Sequence, residues 1–181
     1  MFADQTLTPK EAVRFCALGL IAEAPQRYSL LAREVRDFCA RIMGPSLDLM
    51  GTSIELLKYE GLVSAVEGQG MEDDALLAIT ANGRTSLRAL LTAQLRPGSD
   101  ITKLVVALKM RFLHLLSEAE KHAQIDMLMD AAETDLARLE DLAEASDKES
   151  ETFRRWLGFE IEQTRQKLAW LNESPLCADG R

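Results

Sequence analysis

Cysteine and histidine are scarce in this 181-residue chain, which has three of the first and two of the second. Cys16, Cys39 and Cys177 lie far apart and include no Cys-x-x-Cys, so neither a zinc knuckle nor a dithiol motif of that spacing is present. Cys16 and Cys39 are expected to be small apolar core residues, as free cysteine usually is. A redox-sensing thiol is the alternative, and thiol titration with and without denaturant separates the two. His114 and His122 stand eight apart on what reads as one helix, too far for an i, i+4 metal pair, so no metal site is expected. A glycine-rich phosphate loop, a nucleophile elbow and a histidine–cysteine constellation are all missing, which argues against an enzyme and implies no cofactor. No run of about 18 uncharged apolar residues occurs, so no membrane span is expected. The start, Met1 to Pro9, lacks the basic and apolar regions of a signal peptide, and the expected location is cytoplasmic.

Positive charge is in deficit as well. Twenty-one Lys and Arg face 29 Asp and Glu, a net charge of −8 with an isoelectric point near 4.9. The deficit is uneven: residues 1–98 hold 10 basic and 12 acidic side chains, the remainder 11 and 17. A locally basic face can coexist with such a total. With 47% hydrophobic and 28% charged residues, the composition is that of a globular chain rather than a disordered one.

Thr8-Pro9-Lys10-Glu11 combines a capping hydroxyl, a proline at the first helical position and a glutamate three after the cap. Val13, Cys16, Ala17, Leu20 and Ile21 follow at helical spacing, and Ala24-Pro25-Gln26 stops the run. A second helix from near Ser29 turns Leu30, Leu31, Val35, Phe38 and Ile42 inward and Arg33, Glu34, Arg36, Asp37 and Arg41 outward, ending at Gly44-Pro45. A third, from about Ser46–Asp48 to Glu60, carries Leu47, Met50, Ile54 and Leu57 and stops at Gly61. Residues 62–66 and 75–79 read as two strands of a hairpin around a polar, glycine-containing turn. Thr80 to Arg84 opens a fourth helix with Leu87, Leu90, Leu91 and Leu95. Three helices, a hairpin and another helix is the order of a winged helix-turn-helix.

Arg96-Pro97-Gly98-Ser99 is the best candidate boundary, dividing the chain into 1–98 and 99–181. Beyond it the pattern is helical only. A helix capped by Asp100 carries Leu104, Val105, Leu108, Phe112, Leu115, Leu116 and Ala119. Another, about 124–145, carries Ile125, Leu128, Met129, Ala132, Leu136, Leu139 and Leu142. The last shows Phe153, Trp156, Leu157, Ile161, Leu168 and Leu171 near heptad spacing, with Trp170 adjacent. Stripes this long need a covering helix, and a three-helix appendage has too little mass to cover them all. A second copy is the expected cover, with Leu136, Leu139, Leu157, Leu168 and Leu171 as its contacts. The predicted fold is therefore mainly α with a small β-hairpin wing: an N-terminal winged helix-turn-helix and a C-terminal antiparallel, coiled-coil-like dimerisation domain.

Four segments carry a family resemblance across residues 8–173. They are Ala17-Leu18-Gly19-Leu20-Ile21-Ala22 with Tyr28, Leu56-Leu57-Lys58-Tyr59-Glu60-Gly61-Leu62-Val63, Leu77-Ala78-Ile79-Thr80-Ala81-Asn82-Gly83-Arg84, and Leu168-Ala169-Trp170-Leu171. In order and spacing they resemble the PadR family of bacterial transcriptional regulators, in the branch whose C-terminal domain is like that of the virulence activator AphA. The resemblance implies a dimer held by the C-terminal helices, operator DNA as ligand, regulation without catalysis and, in some relatives, a small-molecule effector between subunits. Trp156 and Trp170 are the residues that could line such a pocket.

The third helix departs from what DNA reading usually requires. Gly51 and Thr52 stand where the family places an aromatic and a basic or polar residue. Base edges are read by Arg, Asn, Gln or Lys, yet the candidates here shrink to Thr52, Ser53 and Lys58. The wing offers Gln69 among Glu67, Glu72, Asp73 and Asp74. Phosphate contacts fall instead to the second helix, with Arg33, Arg36 and Arg41, flanked by Lys10, Arg14 and Arg27. An operator-binding dimer is the leading expectation. The alternatives are a winged-helix protein-interaction module with weakened DNA binding, and a small-molecule sensor with a pocket at the dimer interface.

Overall fold

A computed structural model of the chain describes residues 7–43, 51–67, 74–95, 101–146 and 149–173. By its internal contacts the chain divides into two compact units, 1–116 and 117–181.

The first unit starts with α1, Pro9–Glu23, where the expected capping box forms: the Thr8 hydroxyl accepts from the Glu11 backbone N–H while the Glu11 carboxylate accepts from the Thr8 N–H. Every residue from Ala12 to Ile21 except Arg14 is buried, so α1 is the central helix of the unit. Next come a two-residue strand β1, Gln26–Arg27, and α2, Tyr28–Met43. Helix α3 spans Gly51–Tyr59, strands β2 and β3 span Val63–Glu67 and Leu76–Ile79, and α4 spans Ala81–Thr92. The expected start of the third helix at 46–48 lies outside the described residues. Strand β1, absent from the expected pattern, pairs antiparallel with β3, giving a three-stranded sheet of order β1-β3-β2. A bulge between Ala65 and Glu67 turns Val66 out to solvent at 61% exposure.

The junction from α3 through β2 to α4 explains the glycines there. Gly61, at φ 70°, closes α3: its N–H donates to the Lys58 carbonyl and that of Leu62 donates to the Leu57 carbonyl, a Schellman arrangement. The Leu62 carbonyl then accepts from both the Thr80 N–H and the Thr80 hydroxyl, each at 3.1 Å. Thr80 also caps α4 by accepting from the Gly83 N–H at 3.0 Å. Gly83 packs so closely on the Leu62 carbonyl that an added Cβ would overlap the oxygen.

Helix α5, Thr102–Phe112, was expected in the C-terminal domain but packs on α1 and α2 in the first unit. The Phe112 ring occupies the space a side chain on Gly19 would fill. The single helix expected from Asp100 to Ala119 is in fact interrupted. Residues Leu113–Leu115 form a 3₁₀ turn, and Ser117 with Glu120 makes a second capping box that starts α6, Glu118–Glu144. His114 and His122 therefore sit on different elements rather than on one helix. The expected cap, Asp100, lies outside the described residues.

The second unit is an antiparallel hairpin of α6 and α7, Glu151–Asn172. Ser150 caps α7 through the Phe153 N–H, and Arg165 of α7 pairs with Glu140 of α6 at 2.7 Å. No described helix is long and apolar enough to cross a membrane.

Candidate nucleic-acid interface

Helix α2 places its apolar residues Leu31, Val35 and Cys39 in the core, all at 0% exposure, and its cations outside. Arg33, Arg36 and Arg41 are exposed, and no ion pair joins them to another of the described residues. Neither Glu34 nor Asp37, the acids on the same face, pairs with them. Glu34 instead accepts from the Gln26 side-chain amide at 3.3 Å. Arg33 and Arg36 stand one turn apart, so both guanidinium groups can meet one run of phosphates.

Other candidate cations are already engaged. Both ends of the Arg14 guanidinium donate to the Glu60 carboxylate at the end of α3. Arg27 pairs with Glu67 at 2.7 Å, the two residues flanking Leu76 from β1 and β2 on either side of β3. Lys10 and Lys58 are exposed. The side chains of Thr52 and Ser53, and Gln69 entirely, lie outside the described residues.

Two of the four wing acids, Glu67 and Asp74, are engaged within the fold, while Glu72 and Asp73 lie outside the described residues. Glu67 is occupied by Arg27. Asp74, at φ 46°, accepts from the Ser29 backbone N–H at 2.8 Å and so caps α2. That hydrogen bond, helped by the nearby Arg27 charge, holds the Asp74 carboxyl below its ordinary range. An anion at a helix N-terminus is also favoured by the helix dipole. Sequence reading missed this role because the cap comes from 45 residues further along the chain.

Lys109 of α5 was also overlooked. It is fully buried, with its ammonium donating to the Leu91 and Ala93 carbonyls at the end of α4, each at 2.6 Å. Burial pushes its pKa down to about 8. The signal was its spacing, four residues after buried Val105 and three before buried Phe112.

In the second unit the expected dimer contacts divide. Leu157 and Leu171 are already buried within one chain, each at 1% exposure, so they are not left for a partner. Leu136, Leu139 and Leu168 are half-buried. The exposed apolar surface consists of Leu142 on α6 and Trp156, Phe159 and Trp170 on α7, the last three spaced three and eleven apart. Trp156 and Trp170, expected to line a pocket, are thus about half exposed on this surface. Among the described residues no group of three or more His, Cys, Asp or Glu could hold a metal ion.

Comparison with known proteins decides the family. The model of the family described as "Putative AphA-like transcriptional regulator" matches residues 2–175. The chain belongs to this family. Its members' regulatory description agrees with the regulator class to which the sequence motifs pointed. The solved structure of Bacillus subtilis PadR in complex with operator DNA is similar over 91% of this chain and 97% of that one, at 18% identity. Its TM-score of 0.36 is too low to establish a common overall arrangement. No curated protein matches the chain.

Proposed function

We propose that this AphA-like chain is a dimeric DNA-binding regulator that holds the phosphate backbone chiefly through α2. The observation that carries the reading is the row of exposed cations, Arg33, Arg36 and Arg41, unpaired with any described residue on a helix packed against α1 and α5. The helix–helix–helix–wing order around them supports a winged helix-turn-helix, with the α2–α3 pair presented to the groove. Since α3 contributes Lys58 as its single cation, base reading falls to Lys58, Thr52 and Ser53, with Gln69 from the wing. The C-terminal hairpin supplies the dimer contact through Trp156, Phe159, Trp170 and Leu142, with Leu136, Leu139 and Leu168 at its margin. No catalytic step belongs to this reading.

A gel-shift screen of DNA upstream of the chain's own gene, at about 50 mM salt, tests it, because affinity carried by phosphate contacts is greatest at low salt. Specific retardation that weakens with salt is the expected result. Absence of binding to any promoter fragment under those conditions overturns it. The second reading, a winged-helix module that docks a protein, is favoured by the exposed apolar residues of α3 and the wing: Tyr59 at 90%, Val66 at 61% and Leu56 at 47%. If this surface is the functional one, Tyr59→Ser removes activity in vivo while Arg33→Ala leaves it intact. An effector held between subunits by Trp156 and Trp170 is compatible with either reading.

A further inference from the structure

The bulge in β2 decides which residue faces Leu76. Up to Ala65 the ladder with β3 is regular, with Val63 opposite Ile79, Ser64 opposite Ala78 and Ala65 opposite Leu77. Continued unbroken, it would set Val66 opposite Leu76. The bulge passes over Val66 and sets Glu67 there instead. On the other side of β3, Arg27 of β1 faces the same Leu76. Arg27, Leu76 and Glu67 therefore stand in one row on one face of the sheet. Crossing the middle strand takes a long side chain, and Arg27 crosses it. One end of its guanidinium donates to the Glu67 carboxylate at 2.7 Å, the other to the Asp74 carbonyl at 3.3 Å.

From Asp74 the connection runs on into α2. The Asp74 carboxylate accepts from the Ser29 N–H at 2.8 Å, and the next carbonyl, that of Ala75, accepts from the Tyr28 N–H at 3.0 Å. Glu67, Arg27, Asp74 and the first turn of α2 thus form one chain of contacts. It leads from the wing strand β2 to the helix that carries Arg33, Arg36 and Arg41. We propose that Arg27 and Glu67 are positioning residues for nucleic-acid binding: their pair clasps the wing to the start of α2, so that wing and cationic helix meet a duplex as one body. The proposal rests on the reading of α2 as the phosphate-contacting helix.

Both side chains thereby take roles opposite to those their charges suggest. Arg27 is a cation that contacts protein in place of phosphate, and Glu67 is a wing acid that favours binding. A surface already held in the arrangement it takes on its ligand gives up less freedom on binding, and so binds more tightly. The Arg27 and Glu67 side chains are 47% and 61% exposed. An ion pair this exposed contributes little to overall stability, so opening the clasp loosens the wing without unfolding the unit.

For Glu67→Gln in the full-length chain, charge alone and the clasp predict opposite signs. Deleting an acid beside a polyanion strengthens binding, whereas opening the clasp weakens it. The expected result is a weakening of about twofold per clasp, about fivefold in a dimer, in fluorescence anisotropy on a promoter fragment that the wild type retards. Arg27→Gln should weaken binding too, with the slope of log K against log salt unchanged. If Arg27 instead touches phosphate, losing two contacts in a dimer flattens that slope by about 1.8. In the free protein both variants should speed amide hydrogen exchange at Tyr28 and Ser29, whose acceptors lie on the strand end that Arg27 holds. Tighter or unchanged binding by Glu67→Gln overturns the proposal, as does a flattened slope for Arg27→Gln or unchanged exchange at Ser29. If the wild type binds no fragment, the DNA reading fails by itself, and the exchange measurement alone decides whether the clasp exists.

Discussion

Replacing Lys109 with methionine should change how stability responds to pH more than stability itself. In the folded chain the ammonium is fully buried and held by the Leu91 and Ala93 carbonyls at 2.6 Å each. Its pKa there is about 8, against 10.5 ordinarily. The unfolded chain therefore binds this proton more tightly than the folded one, and stability must rise with pH between the two values. Carrying the ammonium into the fold costs about 3 kcal/mol at pH 7 but only about 1 kcal/mol at pH 9.5, where the folded side chain is neutral and still donates. Methionine removes that cost at every pH. It also leaves buried carbonyls without this donor, a loss of about 1–3 kcal/mol for each group. The two effects offset near pH 7, and at pH 9.5 the loss outweighs the remaining cost of about 1 kcal/mol. Urea unfolding followed by far-ultraviolet circular dichroism, at both pH values, should show the wild type gaining about 2 kcal/mol on the variant as pH rises. A difference between the two proteins that does not change with pH refutes the reasoning.

Four further outcomes are expected. The double substitution Arg33→Ala, Arg36→Ala should flatten the dependence of log K on log salt by about 3–4 in a dimer, as four lost phosphate contacts require; an unchanged slope removes α2 from the interface. Trp156→Asp with Trp170→Asp should convert the proposed dimer to monomer in light scattering, and a dimer that persists places the contact elsewhere. Gly83→Ala, which sets a methyl against the Leu62 carbonyl, should destabilise the first unit by at least about 3 kcal/mol in denaturant titration, the upper end for overpacking. Thr80→Ala should cost about 1–2 kcal/mol as a lost cap, measured in the same way.

What was legible in the sequence was whatever is settled within a few residues. Thr8 to Glu11 carries its cap in contiguous letters and forms as read, and the helix read as opening at Thr80 does so, with Thr80 as its cap. The amphipathic pattern of α2 put Arg33, Arg36 and Arg41 outside because Leu31 and Val35 had to go in, although Leu30, Phe38 and Ile42, expected to go in with them, are only half-buried. Other features needed the third dimension. Strand β1 is too short to have a period and exists only because β3 offers it an edge. The break at Ser117 was hidden by an apolar stripe running through Leu115 and Leu116, although Ser117 and Glu120 spelled out a cap. Lys109 was passed over because charge suggests solvent, whereas its partners are carbonyls brought from another helix. Asp74 was counted as a repulsive wing acid, while its actual neighbour is the start of α2. Leu157 and Leu171 looked free for a partner because the pairing of α6 with α7 cannot be read from either stripe alone.

The Leu62 carbonyl, at the meeting of α3, β2 and α4, carries a mechanical consequence. One oxygen receives both donors of Thr80 and sits hard against Gly83, while Leu62's own N–H is spent closing α3. The end of α3, the root of the wing and the start of α4 are thereby tied at two adjacent carbonyls, since the Thr80 hydroxyl donates to Gly61 at 2.8 Å as well as to Leu62. A push delivered to the wing is not dissipated by bending at its base. Such a push is expected to turn the end of α3 and the start of α4 together.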